Sequence, residues 1–425
     1  HSTLARIIAT VQEAQGQRAP TQRFVDQFAR YYIPAVVILA ILVAAIPPLF
    51  LGAAFQPWLY KALVLLVIAC PCALVISTPV TVVSGLAAAA KHGILIKGGV
   101  YLEQGRKLRA LALDKTGTIT VGKPTVTDSL VVGGSDGSHY LRLAASLAIR
   151  SDHPVSTAVV THWRALHPAA AAMEVTDFEA LTGRGVKGKI GGETYYLGNH
   201  RLIHELGVCG LELEAKLVAL EQDGKTAVAL STAGAPLLIL AVADTIRETS
   251  IDAVQRLQHM GVEAVMLTGD NRHTAEAIAT KVGIADARGD LLPEDKLKAI
   301  ENLISRHAHV GMVGDGINDA PALAKADIGF AMGAAGTDTA LETADVALMD
   351  DDLRKIPDFI DLSRRTHSVL VQNITLALGI KAVFLVLALA GRGTLWMAVF
   401  ADMGASLIVV FNGLRLVRAL NHATN

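Results

Sequence analysis

The sequence contains few charged residues and few cysteines. Only 18% of its 425 residues are charged, and 38 Lys and Arg against 39 Asp and Glu leave a formal net charge of -1. No basic excess therefore points to nucleic acid as a partner. The chain has three cysteines and we expect no signal peptide in it, so nothing in the sequence suggests a disulfide framework. The chain begins with His1 rather than Met, and we expect residues 1–30 to be a cytoplasmic linker inside a longer protein.

Charge is missing altogether from two long segments, while 52% of all residues are hydrophobic. The gaps from Arg30 to Lys61 and from Lys61 to Lys91 each exceed the roughly 20 residues that span a bilayer. We predict two transmembrane helices over 31–91 and two more over 367–418, with a cytoplasmic tail after them. Flanking basic residues place both termini and the centre in the cytoplasm. The sequence thus predicts a multi-pass protein of the bacterial plasma membrane.

Apolar runs in the charged centre end in aspartates. Leu111 to Leu113 precede Asp114, "VMLTGD" ends at Asp270, and "HVGMVGDGINDA" contains Asp315 and Asp319. Short strands alternate here with helical segments, which is typical of an α/β fold with a doubly wound parallel sheet. Functional groups of such a sheet lie beyond the carboxyl ends of its strands, so we expect these four aspartates at one edge.

The residues expected at this edge fit phosphate chemistry. Asp114 offers a carboxylate nucleophile, and Mg²⁺ is expected at Asp315 because hard oxygen ligands suit it. Lys296 in "PEDKL" can hold phosphate oxygens, and the Thr268 hydroxyl and the Gly269 amide can donate to the same group.

Three motifs in one order, "DKTGT", "TGD" and "GDGINDAPAL", resemble the phosphorylation domain of P-type ATPases. That family forms an aspartyl-phosphate on a haloacid-dehalogenase-like sheet, so the resemblance implies ATP as a substrate. It also implies that Thr116, Asp270, Asn318 and Asp319 belong to the site. A membrane-tethered phosphatase or a metal sensor is the alternative. Related phosphatases usually carry a second Asp where this chain has Thr116, so we expect the acyl phosphate to persist.

A predicted insert, residues 123–238, interrupts a phosphorylation domain with parts at 92–122 and 239–366. Its "SDHPVSTAVV" and "FEALTGRGVKGKI" resemble the nucleotide-binding domain of heavy-metal P-type ATPases, although Asp replaces the Glu of the family's Ser-Glu-His-Pro motif. The resemblance implies that four residues surround the adenosine of ATP: His153, Glu179, Gly183 and Gly185. The glycine spacing alone is weak evidence for a dinucleotide fingerprint, because no strand, turn and helix accompany it.

The stretch "VIACPCALVI" sets Pro71 between two cysteines inside the second predicted span. In a regular helix Cys70 and Cys72 would point about 200° apart. Proline removes a hydrogen bond and unwinds the helix, so both sulfurs can approach one point. Thiolates select soft or borderline ions, and Asp402 adds an oxygen that Zn²⁺ accepts. We expect Lys381, an intramembrane charge, to pair with Asp402 once the ion has left.

The membrane motifs "CPC", "GIKAVFL" and "ADMGAS" resemble the zinc-, cadmium- and lead-exporting group of heavy-metal (type IB) P-type ATPases. A copper exporter is the alternative, but its Tyr-Asn and Met-x-x-Ser-Ser patterns do not occur. The family has eight membrane helices and an actuator domain with Thr-Gly-Glu. We therefore expect the C-terminal part of an ATP-driven exporter, whose partners are the ion, ATP, the bilayer and the missing N-terminal part. Cys209 and His204 are interpreted as ordinary surface or core residues.

Overall fold

The computed structural model describes residues 19–134, 136–314, 319–333, 344–389 and 394–418. In chain order the helices are α1 Pro20–Phe50, α2 Phe55–Ala69, α3 Cys72–Lys91, α4 Gly99–Gln104, α5 Gly137–Ala148, α6 Pro154–Leu166, α7 His200–Glu205, α8 Leu211–Gln222, α9 Glu248–His259, α10 Arg272–Val282, α11 Pro293–His307, α12 Ala320–Lys325, α13 Lys355–Leu389 and α14 Leu395–Leu414. The strands are β1 Ile94–Ile96, β2 Ala110–Asp114, β3 Thr125–Val131, β4 Thr176–Leu181, β5 Gly185–Ile190, β6 Glu193–Asn199, β7 Thr226–Ser231, β8 Pro236–Ala243, β9 Glu263–Leu267, β10 Asp286–Arg288, β11 Val310–Gly314, β12 Ile328–Ala331 and β13 Val346–Leu348.

The chain forms two compact units, and the first holds the apolar helices. It comprises His1–Lys107, Asp345–Met349 and Lys355–Asn425. Four helical segments of the described residues are long and apolar enough to cross a membrane: Pro20–Phe50, Phe55–Lys91, Lys355–Ala388 and Leu395–Val417. The predicted four spans are confirmed. The second segment consists of α2 and α3, which meet at Cys70 and Pro71. The same unit also contains β1 and β13, which pair in antiparallel fashion.

Small and polar side chains hold α3, α13 and α14 together. A buried cluster joins Ala73, Ala377, Ala405 and Val409. Nearer the Lys91 end of α3, Asn373 Nδ2 donates to Thr81 Oγ1 at 3.3 Å and to the Val409 carbonyl at 3.1 Å. Small residues allow backbones to approach closely in a membrane, and interhelical hydrogen bonds add to the packing. The start of α3, which carries Cys72, is therefore fixed against both C-terminal helices.

The second unit, Leu108–Ala344 with Asp350–Arg354, contains two sheets. In the first sheet the strand order is β12-β11-β2-β9-β10, and every neighbouring pair is parallel. β2 and β11 are buried along their whole length, as strands covered by helices on both faces are. The doubly wound parallel sheet is confirmed, and β2, β9 and β11, the three strands expected from the sequence, are adjacent.

The second sheet is antiparallel, with the order β3-β8-β7-β6-β5-β4. One of its cores includes Leu143 and Trp163 from α5 and α6, and another includes Ile203 and Leu217 from α7 and α8. β8 continues to Ala243, so the predicted boundary at residue 238 falls inside this strand. The boundaries of the domains stay predictions.

Two chain segments connect the sheets, and they are tied to each other. Thr120 and Ile246 form an antiparallel bridge. The Asp244 carboxylate accepts hydrogen bonds from the Thr120 hydroxyl at 2.5 Å, the Gly122 amide at 3.0 Å and the Lys123 amide at 3.2 Å. The Asp244 side chain therefore holds the two connecting segments together.

Candidate functional site

Asp114 lies at the carboxyl end of β2, and its side chain is buried. Lys296, in the first turn of α11, places its Nζ 2.7 Å from Asp114 Oδ1 and 2.7 Å from Asp319 Oδ1. Burial alone would lower the pKa of Lys296, but the two carboxylates outweigh it and raise the pKa. The ammonium stays charged and bridges two buried acidic groups. The sequence predicted that Lys296 faces phosphate, and the structure shows it holding the candidate nucleophile.

A second charged pair lies at the end of β9. Lys115 Nζ forms an ion pair with Asp270 Oδ2, and the Asp270 amide donates to Thr268 Oγ1 at 3.1 Å. Burial opposes the charge on Lys115, yet Asp270 and Asp114 raise its pKa overall. Sequence reasoning assigned Lys115 no role, although its place directly after Asp114 in "DKTGT" was a signal.

One cavity of about 520 Å³ joins the two groups of predicted residues. Its walls include ten of them: Asp114, Thr116, His153, Gly183, Gly185, Thr268, Gly269, Asp270, Lys296 and Asp319. Asp315 and Asn318 lie outside the described residues. The cavity volume falls within the range of pockets for drug-sized ligands, roughly 300–1,000 Å³.

His153 faces the cavity from the start of α6. Its Nδ1 accepts a hydrogen bond from the Val155 amide at 3.3 Å, so it caps the helix. Desolvation lowers the pKa of His153, and nearby Asp270 only partly offsets this effect. A neutral imidazole can therefore both cap α6 and present its ring to the cavity.

The glycine turn before β5 needs residues without a Cβ. Gly183 has a φ of +69°, and a Cβ there would lie 2.7 Å from the Leu292 side chain. A Cβ on Gly185, with a φ of +145°, would collide with the Leu197 carbonyl. Asn199 Nδ2 donates to the Gly183 carbonyl at 3.0 Å. The turn is held tightly, with its backbone at the cavity wall.

Glu179 is placed differently from the other predicted nucleotide residues. It lies on β4, and its half-exposed carboxylate is 2.8 Å from Lys187 Nζ. Glu179 is not among the described residues that line the cavity. Its nucleotide role stays a prediction that this geometry does not support.

Sequence reasoning also missed Arg247, which follows β8. Its Nε donates to the Thr120 carbonyl at 3.0 Å, and a terminal nitrogen reaches the Gly117 carbonyl at 3.4 Å and Asp351 Oδ2 at 3.1 Å. Arg247 thereby fixes the turn that follows the candidate nucleophile. The charged stretch "DTIRE" directly after an apolar strand was the available signal.

In the membrane unit, the predicted break lies at "CPC". α2 ends at Ala69 and α3 begins at Cys72. Cys70 and Cys72 form a disulfide, with their Cα atoms 5.5 Å apart. The break turns both sulfurs to one side, and the bond between them was not expected from the sequence. In this oxidised form neither sulfur is a thiolate ligand.

Lys381 on α13 lies against the break. Its Nζ donates to the Ile68 carbonyl at 3.1 Å, contacts the Cys70 carbonyl, and is 3.0 Å from Asp402 Oδ1. The expected pairing with Asp402 is present. The contacts with two backbone carbonyls were not expected. Lys381 thus joins the carboxylate on α14 to the backbone beside Cys70.

Comparison with known proteins first identifies the class to which the catalytic unit belongs. Residues 108–327 match the family described as "Hydrolase: haloacid dehalogenase-like hydrolase". The chain is 47% identical over 421 residues to a cadmium-transporting ATPase of Staphylococcus aureus, covering 98% of this chain and 58% of that protein. It is 45% identical to the zinc/cadmium/lead-transporting P-type ATPase of Escherichia coli K12, covering 98% of this chain and 56% of that protein.

A crystal structure of a zinc-transporting PIB-type ATPase in its E2.Pi state is also similar. It shares 45% identity with a TM-score of 0.70, and the match covers 98% of this chain and 68% of that one. The chain belongs to the heavy-metal (type IB) P-type ATPases. It spans a little over half the length of the curated relatives given above.

Proposed function

We propose that the chain is part of an ATP-driven exporter of Zn²⁺, Cd²⁺ or Pb²⁺ that works through an aspartyl-phosphate at Asp114. The main support is the single cavity that joins the Lys296-bridged carboxylates to His153 and the Gly183 turn. Relatives named as cadmium, zinc and lead transporters support the choice of cargo.

In the phosphorylation step, an Asp114 carboxylate oxygen bonds to the γ-phosphorus of ATP. The bond from that phosphorus to the bridging oxygen breaks, and ADP leaves with this oxygen. Lys296 holds the Asp114 carboxylate in place and supplies positive charge where phosphate oxygens arrive. The Thr268 hydroxyl and the Gly269 amide, which line the same cavity, donate to those oxygens.

The donor set at this edge fits Mg²⁺, because Asp114 and Asp319 place two buried carboxylates beside the same Lys296 ammonium, and hard oxygen ligands suit the ion. These two residues would hold the ion, and Asp315 is a further candidate ligand. When bound, Mg²⁺ screens the negative charge between carboxylate and phosphate. Thr116 offers no carboxylate to activate water, so the acyl phosphate persists.

The cargo site consists of Cys70, Cys72 and Asp402 in the reduced chain. Two thiolates and one carboxylate suit Zn²⁺, Cd²⁺ or Pb²⁺. Lys381 neutralises Asp402 and is already within 3.0 Å of it. We propose that Lys381 takes the place of the ion as the partner of Asp402 when the ion leaves.

ATP labelled on its γ-phosphate tests the proposal. The purified full chain should retain acid-stable, hydroxylamine-sensitive label, and Asp114→Asn should abolish it. Asp252→Asn, which changes an exposed aspartate on α9 of the same unit, should keep the label. Steady release of phosphate without accumulated label would instead support a phosphatase.

Metal competition tests the cargo. The reduced chain should prefer Zn²⁺ or Cd²⁺ over Cu(I), and Asp402→Ala should weaken that preference. A preference for Cu(I) that Asp402→Ala leaves unchanged would overturn the choice of ion.

A further inference from the structure

A second group of metal-binding side chains lies far from the membrane motifs in sequence, at the junction of α7 and α8. It consists of His200, His204, Cys209 and Glu214. One donor atom from each side chain lies within 4.8 Å of all the others. Among the described residues, this is the one group of at least three His, Cys or acidic side chains whose donor atoms all lie this close together in the structure.

The local fold brings these four residues together. His200 and His204 are four residues apart on α7, so both rings face the same side, with centroids 5.3 Å apart. Cys209 follows in the connecting turn, and Glu214 comes from the first turn of α8. His200 is buried, His204 is exposed, and the other two are half-buried. The cluster is organised by packing on one side and open to solvent on the other.

One carboxylate oxygen is the centre of the cluster. Glu214 Oε2 lies 2.7 Å from His200 Nε2, 3.0 Å from His204 Nε2 and 3.0 Å from Cys209 Sγ. In the metal-free protein these contacts are hydrogen bonds, in which the two imidazole N–H groups and the thiol donate to the carboxylate. In a tetrahedral zinc site the donor atoms are about 3.3–3.7 Å apart, given metal bonds of about 2.0–2.3 Å. Small outward movements of the three partners would open that space.

A further carboxylate orients the buried histidine. His200 Nδ1 lies 3.1 Å from Glu221 Oε2, and Glu221 is itself buried. A metal-binding histidine almost always donates its other ring N–H to a carboxylate or carbonyl, which fixes the tautomer and leaves the first nitrogen free for the ion. Glu221 provides that arrangement, which leaves Nε2 of His200 directed at the other three donors.

We propose that His200, His204, Cys209 and Glu214 bind one borderline divalent cation of the Zn²⁺ or Cd²⁺ class. Two imidazoles, one thiolate and one carboxylate suit such an ion, and their two negative charges balance it. This site is separate from the cargo site and from the carboxylates around Asp114.

The site lies next to the nucleotide cavity. Glu221 lines that cavity, and so does Asn199, which caps α7 by accepting from the Leu202 amide at 3.2 Å. Asn199 also donates to the carbonyl of Gly183 in the cavity turn. An ion that pins α7 to α8 would therefore steady the helix whose cap supports the glycine turn.

Co²⁺ tests the proposal through its thiolate charge-transfer absorption. The full chain is used with Cys70→Ser and Cys72→Ser, so that Cys209 is the remaining thiol among its three cysteines. We expect one equivalent of Co²⁺ to give a thiolate band that Zn²⁺ abolishes by displacement. No such band, with the chain folded, would overturn the proposal.

Matched variants in the same background locate the ligands. Cys209→Ser should remove the thiolate band, and His204→Ala, an exposed position, should weaken Co²⁺ and Zn²⁺ binding without altering unfolding in the absence of metal. His139→Ala changes an exposed histidine outside the cluster and should leave binding intact. Glu221→Gln should lower affinity by about 10–100-fold. Unchanged affinity in His204→Ala would refute the proposed ligand set.

Discussion

Two lysines show how differently the catalytic unit and the membrane unit use one positive charge. Lys296 bridges the carboxylates of Asp114 and Asp319, whereas Lys381 joins one carboxylate, Asp402, to the backbone carbonyls of Ile68 and Cys70. Lys296 is paired with two carboxylates. Lys381 is paired with one carboxylate and with two uncharged carbonyls beside the helix break, so its surroundings hold less negative charge.

Replacing Lys296 should have the largest effect. Lys296→Met leaves two buried carboxylates without their shared cation, and removing one partner of a buried ion pair typically costs about 3–5 kcal/mol. We expect a clearly lower melting temperature of the chain and loss of phosphorylation from ATP. Lys298→Met, an exposed lysine on the same helix, is the control and should change little. Equal melting temperatures for the two variants would break the comparison.

Lys381→Met should have a smaller effect on stability. It leaves one carboxylate and two carbonyls without a donor, and an unsatisfied buried polar group costs about 1–3 kcal/mol. We expect metal binding to the reduced chain to be largely retained and turnover of the complete transporter to be slow. Calorimetric metal titration and transport assays measure the two quantities. Loss of metal binding, or turnover as fast as in the wild type, would contradict the proposed role.

Reduction of the Cys70–Cys72 disulfide should change metal binding in the membrane unit but not ATP binding in the catalytic unit. Cys70 and Cys72 are joined in a disulfide, so the oxidised chain should bind no Cd²⁺ through sulfur in the membrane, and a phosphine reductant should restore binding. The described residues that line the catalytic cavity include no cysteine, so binding of ATP there should be unaffected. Cys209→Ser should serve as the background, so that the remaining thiol does not contribute. Tight Cd²⁺ binding to the oxidised chain would reject the proposed thiolate ligands.

The smallest effect concerns pH and His153. The folded state holds its pKa below the ordinary value of about 6.5, chiefly through desolvation, so the neutral form is favoured. Protonation therefore favours the unfolded chain, and stability should decline as pH falls below about 6.5. His153→Gln should flatten that decline in unfolding curves, whereas His139→Gln should not. Parallel curves for wild type and His153→Gln would show that the imidazole is not desolvated.

Sequence motifs predicted the parallel sheet, the four apolar spans and ten residues of the cavity wall, because strand ends and charge-free runs are local patterns. Contacts between distant residues were harder to predict. The reach of Lys296 to Asp114 depends on where α11 starts relative to β2, and no local pattern encodes that position. Arg247 and Asp244 likewise act on turns more than 100 residues earlier in the chain.

The cluster at His200 illustrates a second limit of sequence reasoning. His200 and His204 have a recognisable spacing, but the spacing alone is common on helices. The two other proposed ligands come from the following turn and from α8, and only the packing of α7 against α8 brings Cys209 and Glu214 to the same point.

The Asp244 carboxylate has a mechanical consequence for the catalytic unit. It accepts hydrogen bonds from Thr120, Gly122 and Lys123 and so holds them against the segment that follows β8. We therefore expect the two segments that connect the sheets to move together. If one sheet swings against the other, both segments must flex together, which restricts twisting and leaves hinge-like bending as the easier movement.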